Sequence, residues 1–308
     1  MMKKNMSCLR KGVFKQYYVI GFVSNEIVKT GKSSEVFKHI KWVDTCGYSQ
    51  GWFADPFILS IDDDWIVLLA EEKVFKTNRG RLVKLTISAR TYKLLNVKPI
   101  LELDTHLSFP LIYVDNGKIY VCPENRRSGE LPIYEYDSEK DLLINRKVLI
   151  PQPLVDSQIF KINNQYFIFS VCQNGDKNFD STLIIYESDS LLGPYRKKQV
   201  VVSDNKNKRG AGSIFEMDGR IIRPSQDCSV SYGGSVLLNS LTYDGNQFYE
   251  SIIGKLEPVR CMKYGLGLHT FNIYCGICVV DGKEYKYRFL ARFLLFLHKV
   301  WKKIRKRF

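Results

Sequence analysis

Short apolar segments separated by tight polar turns run along almost the whole chain, with little helix-type periodicity before the C-terminal segment. One pattern recurs: a small or polar entry, an apolar segment, a turn and a second apolar segment. Its copies begin at Asp55, Phe109, Asp156, Gly212 and His269, spaced 54, 47, 56 and 57 residues apart. A repeat of this length, rich in aromatic and β-branched residues, is typical of a four-stranded blade. We predict an all-β fold, a five-bladed β-propeller over residues 17–286, rather than a sandwich or a β-helix.

Turn residues mark the hairpin at the start of each copy. In the first four copies the predicted turns are Asp62-Asp63-Asp64, Asp115-Asn116-Gly117, Asn163-Asn164 and Asp218-Gly219. In the fifth copy the predicted turn is Asp281-Gly282, which fits the repeat less regularly. The apolar run from Tyr17 to Val23 predicts a first β-strand, which leaves residues 1–16 as an N-terminal extension.

Ionisable residues gather at one end of the predicted hairpins. The first residue of strand one and the last of strand two share that end in an antiparallel pair. Strand starts and strand ends therefore bring one set of groups to the same opening: Asp55, Asp156, His269, Glu71, Glu72, Glu124, Arg223, Gln226 and Asp227. Arg209 precedes the fourth copy by three residues and can reach over the opening. Glu216 lies inside a strand and is expected to point elsewhere.

Each of these residues also has a purely structural interpretation. An Asp before Pro, as at Asp55, is a common turn former. Arg223 and Asp227 are four residues apart and could simply pair with each other. Glu124 follows an apolar stretch that would raise the pKa of its carboxyl, but a solvated rim position explains it as well. The repeat position, rather than any single residue, favours a functional site.

The positive charge is concentrated at the C-terminus. Of the formal net charge of +14, residues 283–308 supply +9, from ten Lys and Arg against one Glu. Apolar residues recur every three and four positions over 287–308, which predicts an amphipathic basic helix that docks on an anionic membrane surface. A helix packed on the propeller and an RNA-binding tail are the alternatives. We expect no nucleic-acid partner, because Phe, Leu and Trp outnumber the polar contacts typical of nucleic-acid binding in this segment. We expect a peripheral protein on the cytoplasmic face, because the N-terminal segment lacks a signal-peptide cleavage pattern.

The eight cysteines are scattered and are expected to be reduced thiols. Cys275 and Cys278 have the spacing of a metal pair, but no second pair exists, so they are predicted to be two core residues of a strand. No cofactor or metal is predicted, although the carboxylates leave room for a divalent cation.

Five motifs resemble the N-terminal domain of plant glucosamine inositolphosphorylceramide transferase and its bacterial relatives. They are Trp52-Phe53-Ala54-Asp55-Pro56-Phe57, Tyr120-Val121-Cys122-Pro123-Glu124, Arg209-Gly210-Ala211-Gly212-Ser213-Ile214-Phe215-Glu216, Arg223-Pro224-Ser225-Gln226-Asp227-Cys228 and Gly267-Leu268-His269-Thr270. That domain is similar in fold to the propellers of family 43 glycoside hydrolases, and the resemblance implies a general base at Asp55. It also implies a catalytic glutamate on the third blade, where this chain has Asp156-Ser157-Gln158.

The resemblance implies glycosyl chemistry. The leading hypothesis is a glycosyltransferase that moves a sugar from an activated donor to a carbohydrate or glycolipid acceptor near the membrane. Asp55 or Asp156 would deprotonate the acceptor, with Glu124 as a further catalytic candidate, while Arg209 and Arg223 would hold the donor phosphate. His269, Gln226 and Asp227 would bind substrate. A glycoside hydrolase and a non-catalytic carbohydrate-binding propeller remain as alternatives.

Overall fold

The chain folds into five four-stranded antiparallel sheets, which confirms the predicted five-bladed β-propeller. The structure is a computed structural model that describes residues 14–172 and 179–305; most of the predicted N-terminal extension lies outside them. Blade I contains β3 (Gly51–Ile61), β4 (Trp65–Val74), β5 (Arg79–Ser88) and β6 (Leu94–Leu101), and blade II contains β7 (Ser108–Asp115), β8 (Lys118–Glu124), β9 (Leu131–Asp137) and β10 (Leu142–Ile150). Blade III contains β11 (Leu154–Ile162), β12 (Gln165–Cys172), β13 (Thr182–Ser188) and β14 (Arg196–Val202). Blade IV contains β15 (Phe215–Met217), β16 (Arg220–Asp227), β17 (Ser235–Tyr243) and β18 (Phe248–Leu256), and blade V contains β19 (Leu268–Tyr274), β20 (Ile277–Tyr285), β1 (Gln16–Ser24) and β2 (Lys41–Trp42).

Blade V is assembled from both ends of the polypeptide. Strand β1 pairs with β20 from Gln16 opposite Tyr285 to Ser24 opposite Ile277, so the first strand after the extension closes the ring against the last one. Two short helices, α1 (Asn25–Lys29) and α2 (Ser33–His39), connect β1 to β2. Within the described residues, five buried apolar clusters form, and each joins residues of at least two neighbouring blades. Burial between blades therefore holds the ring together.

The hairpin turns follow the sequence prediction in four blades. Asn116-Gly117, Asn163-Asn164 and Asp218-Gly219 all have positive φ at both positions, as a type I′ turn requires. In the fifth blade the prediction was wrong. The turn there is Cys275-Gly276, with φ of 45° and 78°.

Asp281 and Gly282 lie inside β20, and Asp281 is fully buried. The turn falls earlier because Gly276 accepts a left-handed backbone without a Cβ clash, whereas Gly282 is packed under Trp42. The paired-cysteine prediction holds for buried Cys278 and was wrong for Cys275, which is exposed at the turn. The seven cysteines in the described part of the chain are free thiols.

A β-bulge interrupts the first strand of blades I, II, III and V at the position where each sequence repeat begins. The register shifts between Ala54 and Phe57, Ser108 and Leu111, Val155 and Gln158, and Leu268 and Phe271. Within the first three bulges Asp55, Phe109 and Asp156 have φ of 50°, 45° and 47°. Bulges re-aim side chains, and Asp tolerates a left-handed backbone better than most residues. The bulges therefore turn Asp55 and Asp156 toward the axis.

The C-terminal helix α3 (Arg288–Arg305) leaves blade V three residues after β20 ends. Arg288 and Arg292 hold it to Glu284, at 3.1 and 3.0 Å, and Ala291 in its first turn is buried. Large apolar side chains stay in solvent on this helix, including Phe289, which is 85% exposed, and Phe293 and Phe296. In the described residues, no helix has an apolar stretch long enough to cross a membrane.

Candidate active site at the mouth of the propeller

Six of the eight residues to which the sequence assigned a catalytic or binding role converge at the axis, where the first strands of the blades begin. Asp55, Glu124, Asp156, Arg209, Gln226 and His269 are each no more than 7% exposed. Asp156 holds the centre of one half of this axial cluster. Its Oδ2 accepts from Arg209 Nε at 2.8 Å and from Gln226 Nε2 at 2.8 Å, and Arg209 Nη2 lies 2.7 Å away. A residue of blade III is thereby tied to residues of blade IV and of the segment that precedes it.

Glu124 extends this half of the cluster toward blade II. Its Oε2 lies 3.9 Å from Arg209 Nη2, and its carboxyl shares a hydrogen bond with Asp156. Burial, and then the negative charge of Asp156, raise the pKa of Glu124 well above its usual range despite the nearby arginine. Two carboxyls this close cannot both ionise easily, so the folded structure favours the protonated form of Glu124 more than solvent would.

Asp55 lies in the other half of the axial cluster. Its Oδ1 accepts from Thr270 Oγ1 at 2.8 Å, and its Oδ2 accepts from the Phe109 backbone N–H at 3.1 Å. Burial raises the pKa of Asp55 to about 6, with protonated His269 opposing the rise and Asp281 and Asp156 adding to it. Asp55 is therefore mainly ionised at neutral pH and can accept a proton, in contrast to Glu124.

Asp281, which the sequence reasoning missed, anchors His269. Its Oδ2 lies 2.6 Å from His269 Nδ1 and accepts from the Asp55 N–H at 3.0 Å. Its Oδ1 accepts from the backbone N–H groups of His269 and Thr270 at 3.1 and 3.0 Å. Burial disfavours a charged imidazole, but Asp281 and Asp55 outweigh it and raise the pKa of His269 to about 9. The unbroken apolar run Ile277-Cys278-Val279-Val280 was the signal that the strand continues to Asp281.

Asp55, His269 and Asp281 present ligand atoms within 4.8 Å of one another, which is the spacing of a cation site. His269 Nδ1 is already bonded to Asp281, and a protonated ring donates from both nitrogens and cannot ligate. A divalent cation would have to displace that proton and the backbone donors of Asp281. The sequence-based allowance for a divalent cation therefore stays a prediction, which the hydrogen bonding of this cluster does not favour.

Arg223 and Asp227 do not join the axial cluster, and they do not pair with each other. Arg223 is fully buried between blades, where it donates to Glu250 of β18 and, at 2.9 Å, to Gln158 Oε1 of β11. Asp227 pairs with Lys255 of β18 at 3.2 Å. The assignment of Arg223 to a donor phosphate stays a prediction that this geometry does not favour. Its Nε and Nη1 hold blade IV together and join it to blade III, and its Nη2, which has no hydrogen-bond partner among the described residues, is fully buried.

Of the other acidic residues, Glu72 and Glu216 point away from the axis. Glu72 accepts from Tyr48 and Arg81 at 2.6 and 2.8 Å on the opposite face of β4. Glu216 is exposed on β15, as expected. Adjacent residues of a strand face opposite sides, so only one of Glu71 and Glu72 can face the axis.

Glu71 is the carboxyl of this pair that faces Asp55. It is buried, and its Oε1 has no hydrogen-bond partner, with His106 Nε2 3.5 Å away. Burial and the neighbouring charge of Asp55 raise the pKa of Glu71 to about 8. The folded protein therefore favours the protonated form of Glu71.

Replacing Glu71 by Gln is expected to flatten the dependence of stability on pH. A raised folded-state pKa gives stability that is present below the unfolded pKa and is lost as the pH rises through about 8. Glu71→Gln, which mimics the neutral acid, should match the wild type at pH 5 and exceed it at pH 9 by about 2–4 kcal/mol. Urea unfolding at both pH values measures this difference. Glu216→Gln is the exposed control, and a Glu71→Gln effect that is constant with pH would contradict the assignment.

Aromatic rings flank the axial cluster on the side of blade V. Tyr18 of β1 stacks on the His269 ring, with centroids 4.3 Å apart, and Tyr232 stands edge-on to the same ring at 5.6 Å. The Arg209 guanidinium lies 5.0 Å from the centre of the Tyr232 ring, which is half exposed. These rings offer apolar faces next to charged groups, the surface that suits a sugar ring.

Comparisons with known proteins agree with this fold. The family described as glucosamine inositolphosphorylceramide transferase 1, N-terminal, matches residues 35–263. The transferase of that name from Oryza sativa subsp. japonica is 29% identical over 215 residues, which are 67% of this chain and 28% of the relative. The Arabidopsis thaliana protein is 28% identical over 213 residues, with the same coverage of 67% and 28%. The chain thus spans just over a quarter of the length of these relatives.

Solved propellers of carbohydrate-active enzymes share the architecture. A thermostable family-43 glycoside hydrolase aligns with a TM-score of 0.52 at 15% identity, over 74% of this chain and 84% of the hydrolase. An exo-β-1,3-galactanase from Clostridium thermocellum also aligns with a TM-score of 0.52, at 12% identity over 65% of this chain and 49% of the galactanase. At these identities the likeness concerns the fold alone. The match to residues 35–263 covers most of the propeller, and the chain therefore belongs to the glucosamine inositolphosphorylceramide transferase 1 N-terminal family.

Proposed function

We propose that the chain is a glycosyltransferase-like enzyme of glycolipid or surface-polysaccharide biosynthesis. It would transfer a sugar from an activated donor to an acceptor hydroxyl close to the membrane. One observation carries the proposal: two carboxyls are buried at a single opening in different surroundings. Asp55 accepts hydrogen bonds from Thr270 and the Phe109 N–H and has a pKa of about 6, whereas burial and the adjacent Asp156 carboxyl raise the pKa of Glu124 well above its usual range. Pairs of carboxyls whose environments separate their pKa values are the usual acid and base of glycosyl chemistry.

In this proposal Asp55 removes the proton from the acceptor hydroxyl as its oxygen attacks the anomeric carbon of the donor. The bond between that carbon and the leaving phosphate oxygen then breaks. Thr270 and the Phe109 N–H fix the Asp55 carboxylate through two hydrogen bonds, so that its remaining lone pairs face the opening. Arg209 pairs with Asp156 at 2.7 Å and keeps a positive charge 3.9 Å from Glu124. Protonated His269 orients sugar hydroxyls through its free ring nitrogen.

The donor phosphate needs a cation other than Arg223. Arg126 lies in a 3-10 turn directly after β8, with its Nε 3.9 Å from Glu124 Oε1 and its side chain 41% exposed. It stands at the edge of the axial cluster and is the described arginine best placed to accompany Arg209. Arginine suits phosphate because its guanidinium can donate two parallel hydrogen bonds.

Glycoside hydrolysis is the second candidate, because the same separation of carboxyl pKa values serves hydrolysis, with Glu124 as the acid and Asp55 as the base. The two functions differ in the co-substrate. Purified protein is incubated with membrane lipids and a panel of nucleotide sugars, and separately with a panel of oligosaccharides in buffer alone. Sugar incorporation into lipid supports transfer, whereas release of free sugar without a nucleotide sugar supports hydrolysis. Sugar binding without turnover in either assay would indicate a carbohydrate-binding propeller.

We further propose that α3 attaches the chain to the cytoplasmic face of a membrane. Replacing Phe289, Phe293 and Phe296 by Glu is expected to lower binding to anionic vesicles at least about tenfold, because each exposed ring would otherwise lie in the bilayer interface. Vesicle co-sedimentation measures the effect. The matched control replaces exposed Val114, Val200 and Val202 on the blades by Glu, with the same change in charge. Equal losses for the two triple variants would contradict attachment through the helix.

A further inference from the structure

The outermost strand of blade V covers only a small part of the strand beside it. The outermost strands of blades I to IV have seven to nine residues, whereas β2 has two. β2 pairs with β1 at Gly21 and Phe22, and the Val43 N–H then donates to Ile20 O at 2.9 Å. In the described part of the chain, no strand pairs with the outer side of β1 before that point. We call this stretch of β1, residues 16–19, the open edge.

The hydrogen bonds on the two sides of β1 show which backbone groups face the open edge. The Lys286 N–H donates to Lys15 O at 2.8 Å, so odd-numbered residues at the start of β1 bond on the side of β20. Successive residues of a strand bond on opposite sides, and Ile20 O indeed accepts its hydrogen bond on the outer side. Gln16 and Tyr18 therefore direct their N–H and C=O groups outward, where an added strand would pair with them.

A cavity of about 460 Å³ occupies the place of the missing strand. Every residue from Lys15 to Ile20 lines it, although successive side chains of a strand face opposite sides, so the backbone itself forms one wall. The lining is rich in aromatic side chains, which are Tyr17, Tyr18, Trp42, Trp52, Phe75 and Tyr264. At about 3.3 Å per residue, the edge from Gln16 to Ile20 is about 13 Å long, which matches a strand of about four or five residues.

The charge of the lining favours one kind of strand over another. Four charged side chains line the cavity, three basic and one acidic: Lys15, Lys263, Lys286 and Asp44. Asp44 Oδ1 accepts from the Cys46 N–H at 2.9 Å within the loop after β2, so one of its oxygens is engaged there. Buried Glu284, the last acid of β20, pairs with Arg288 and Arg292 at 3.1 and 3.0 Å. The lining therefore keeps a net charge of +2, which favours an acidic ligand.

The same charge disfavours this protein's own segments as the missing strand. Residues 1–13 contain four basic residues and no acidic one. A second copy would bring the same three lysines to the open edge, and lysines at a strand edge are a common protection against pairing between copies. An acidic segment of a different protein meets no such repulsion.

We infer that the open edge and its cavity bind an extended acidic segment of a partner protein, which adds a strand to blade V. Gln16 and Tyr18 supply main-chain hydrogen bonds, and the aromatic walls take alternate apolar side chains of the segment. The three lysines attract its acidic side chains. The inference concerns a binding partner and does not depend on the proposed sugar transfer.

The probe is a fluorophore-labelled peptide amide of the sequence Glu-Val-Glu-Phe-Glu-Val-Glu, whose binding to the full chain is measured by fluorescence anisotropy. One control peptide has Lys in place of every Glu. The other keeps the acidic sequence but is N-methylated at its three central residues, which removes the donors that strand pairing needs. We expect the unmodified acidic peptide to bind at least about tenfold more tightly than either control.

Substitutions in the chain test the two parts of the site separately. Lys15→Glu/Lys263→Glu/Lys286→Glu should reverse the charge preference, so that the Lys peptide binds more tightly than the acidic one. Gln16→Pro removes one outward donor and leaves the hydrogen bonds to β20 in place, so it should weaken binding of the acidic peptide at least about fivefold.

The matched control for the charge reversal changes three exposed lysines of blades II and III. In Lys140→Glu/Lys147→Glu/Lys197→Glu the acidic peptide should keep its advantage over the Lys peptide. Equal effects of the two triple variants would overturn the inference, because the preference would then reflect only the net charge of the protein.

Hydrogen exchange shows where the peptide lies. With the acidic peptide bound, the N–H groups of Gln16 and Tyr18 should exchange at least about tenfold more slowly, whereas those of Tyr17 and Val19, on the side of β20, should change little. Equal binding of the three peptides, or unchanged exchange at Gln16 and Tyr18, would overturn the inference. A dimer that protects these two N–H groups without any peptide would also overturn it and would assign the open edge to a second copy.

Discussion

Asp55→Asn is expected to reduce sugar transfer by about a hundredfold to ten-thousandfold while the propeller stays folded. Asn has nearly the shape of Asp and tolerates the left-handed backbone at φ 50°. Its amide oxygen can still accept one of the two hydrogen bonds from Thr270 and the Phe109 N–H. What is lost is the ability to take a proton. Initial rates, with circular dichroism as a check of folding, test this expectation.

The dependence of the rate on pH tests whether Asp55 acts as the base more specifically than a loss of activity does. Because the pKa of Asp55 is about 6, kcat/KM of the wild type should rise as the pH increases through about 6, where the base ionises. The residual activity of Asp55→Asn should lack this rise. Asp63→Asn, in the exposed turn of the same blade, is the control and should behave as the wild type. Full activity of Asp55→Asn, or an unchanged rising limb, would remove Asp55 as the base.

Asp281→Asn is expected to destabilise the fold by about 3–5 kcal/mol, since it breaks a fully buried ion pair and leaves His269 with only the more distant Asp55 carboxylate, at 3.8 Å. Asp281 holds the His269 ring and three backbone N–H groups of blades I and V at once. The pKa of His269 should then fall from about 9, because burial lowers it and its strongest opposing charge, Asp281, is gone, while Asp55 at 3.8 Å still opposes the fall. Urea unfolding measures the stability, and an NMR titration of the imidazole measures the pKa.

The sign of the pH dependence follows from both partners. Asp281 has a lowered pKa, so its contribution is present above its ordinary value and is lost in acid. His269 has a raised pKa, so its contribution is complete below its ordinary value of 6.5 and is lost as the pH rises through about 9. The stability difference between wild type and Asp281→Asn should therefore shrink between pH 6.5 and 9. A second substitution, His269→Gln, should recover part of the loss, and a loss below about 1 kcal/mol in Asp281→Asn would contradict the buried pair.

The sequence predicted the ring and most of the axial cluster because both depend on a repeated local signal. The type I′ turns at Asn116-Gly117 and Asp218-Gly219 fix the hairpins, and the repeat starts coincide with the bulges that aim Asp55 and Asp156. The position of His269 at the axis was predictable in the same way. Its positive charge was not, since the raised pKa of His269 depends on its ion pair with Asp281.

What the sequence could not supply was the face on which a strand residue lies. Arg223 and Gln226 belong to the same six-residue motif, yet the backbone of β16 directs Gln226 to Asp156 and Arg223 into the interface with blade III. A one-residue change of register reverses such an assignment. The role of Asp281 was not predicted for a related reason. An Asp-Gly pair is a strong turn signal, and only the Cys275-Gly276 turn of the structure shows that the strand continues through Asp281.

The pairing of β1 with β20 also has a consequence for how the protein is made. During translation, Asp55, Glu124, Asp156 and Arg209 leave the ribosome well before His269 and Asp281, which arrive on the last hairpin of the ring. Until that hairpin pairs with the strand synthesised first, the Asp55 N–H and Thr270 contacts that position the base do not exist. A nascent or prematurely terminated polypeptide that ends before residue 268 would therefore expose a row of acids without their imidazolium partner. The proposed base would be positioned only after the ring has closed.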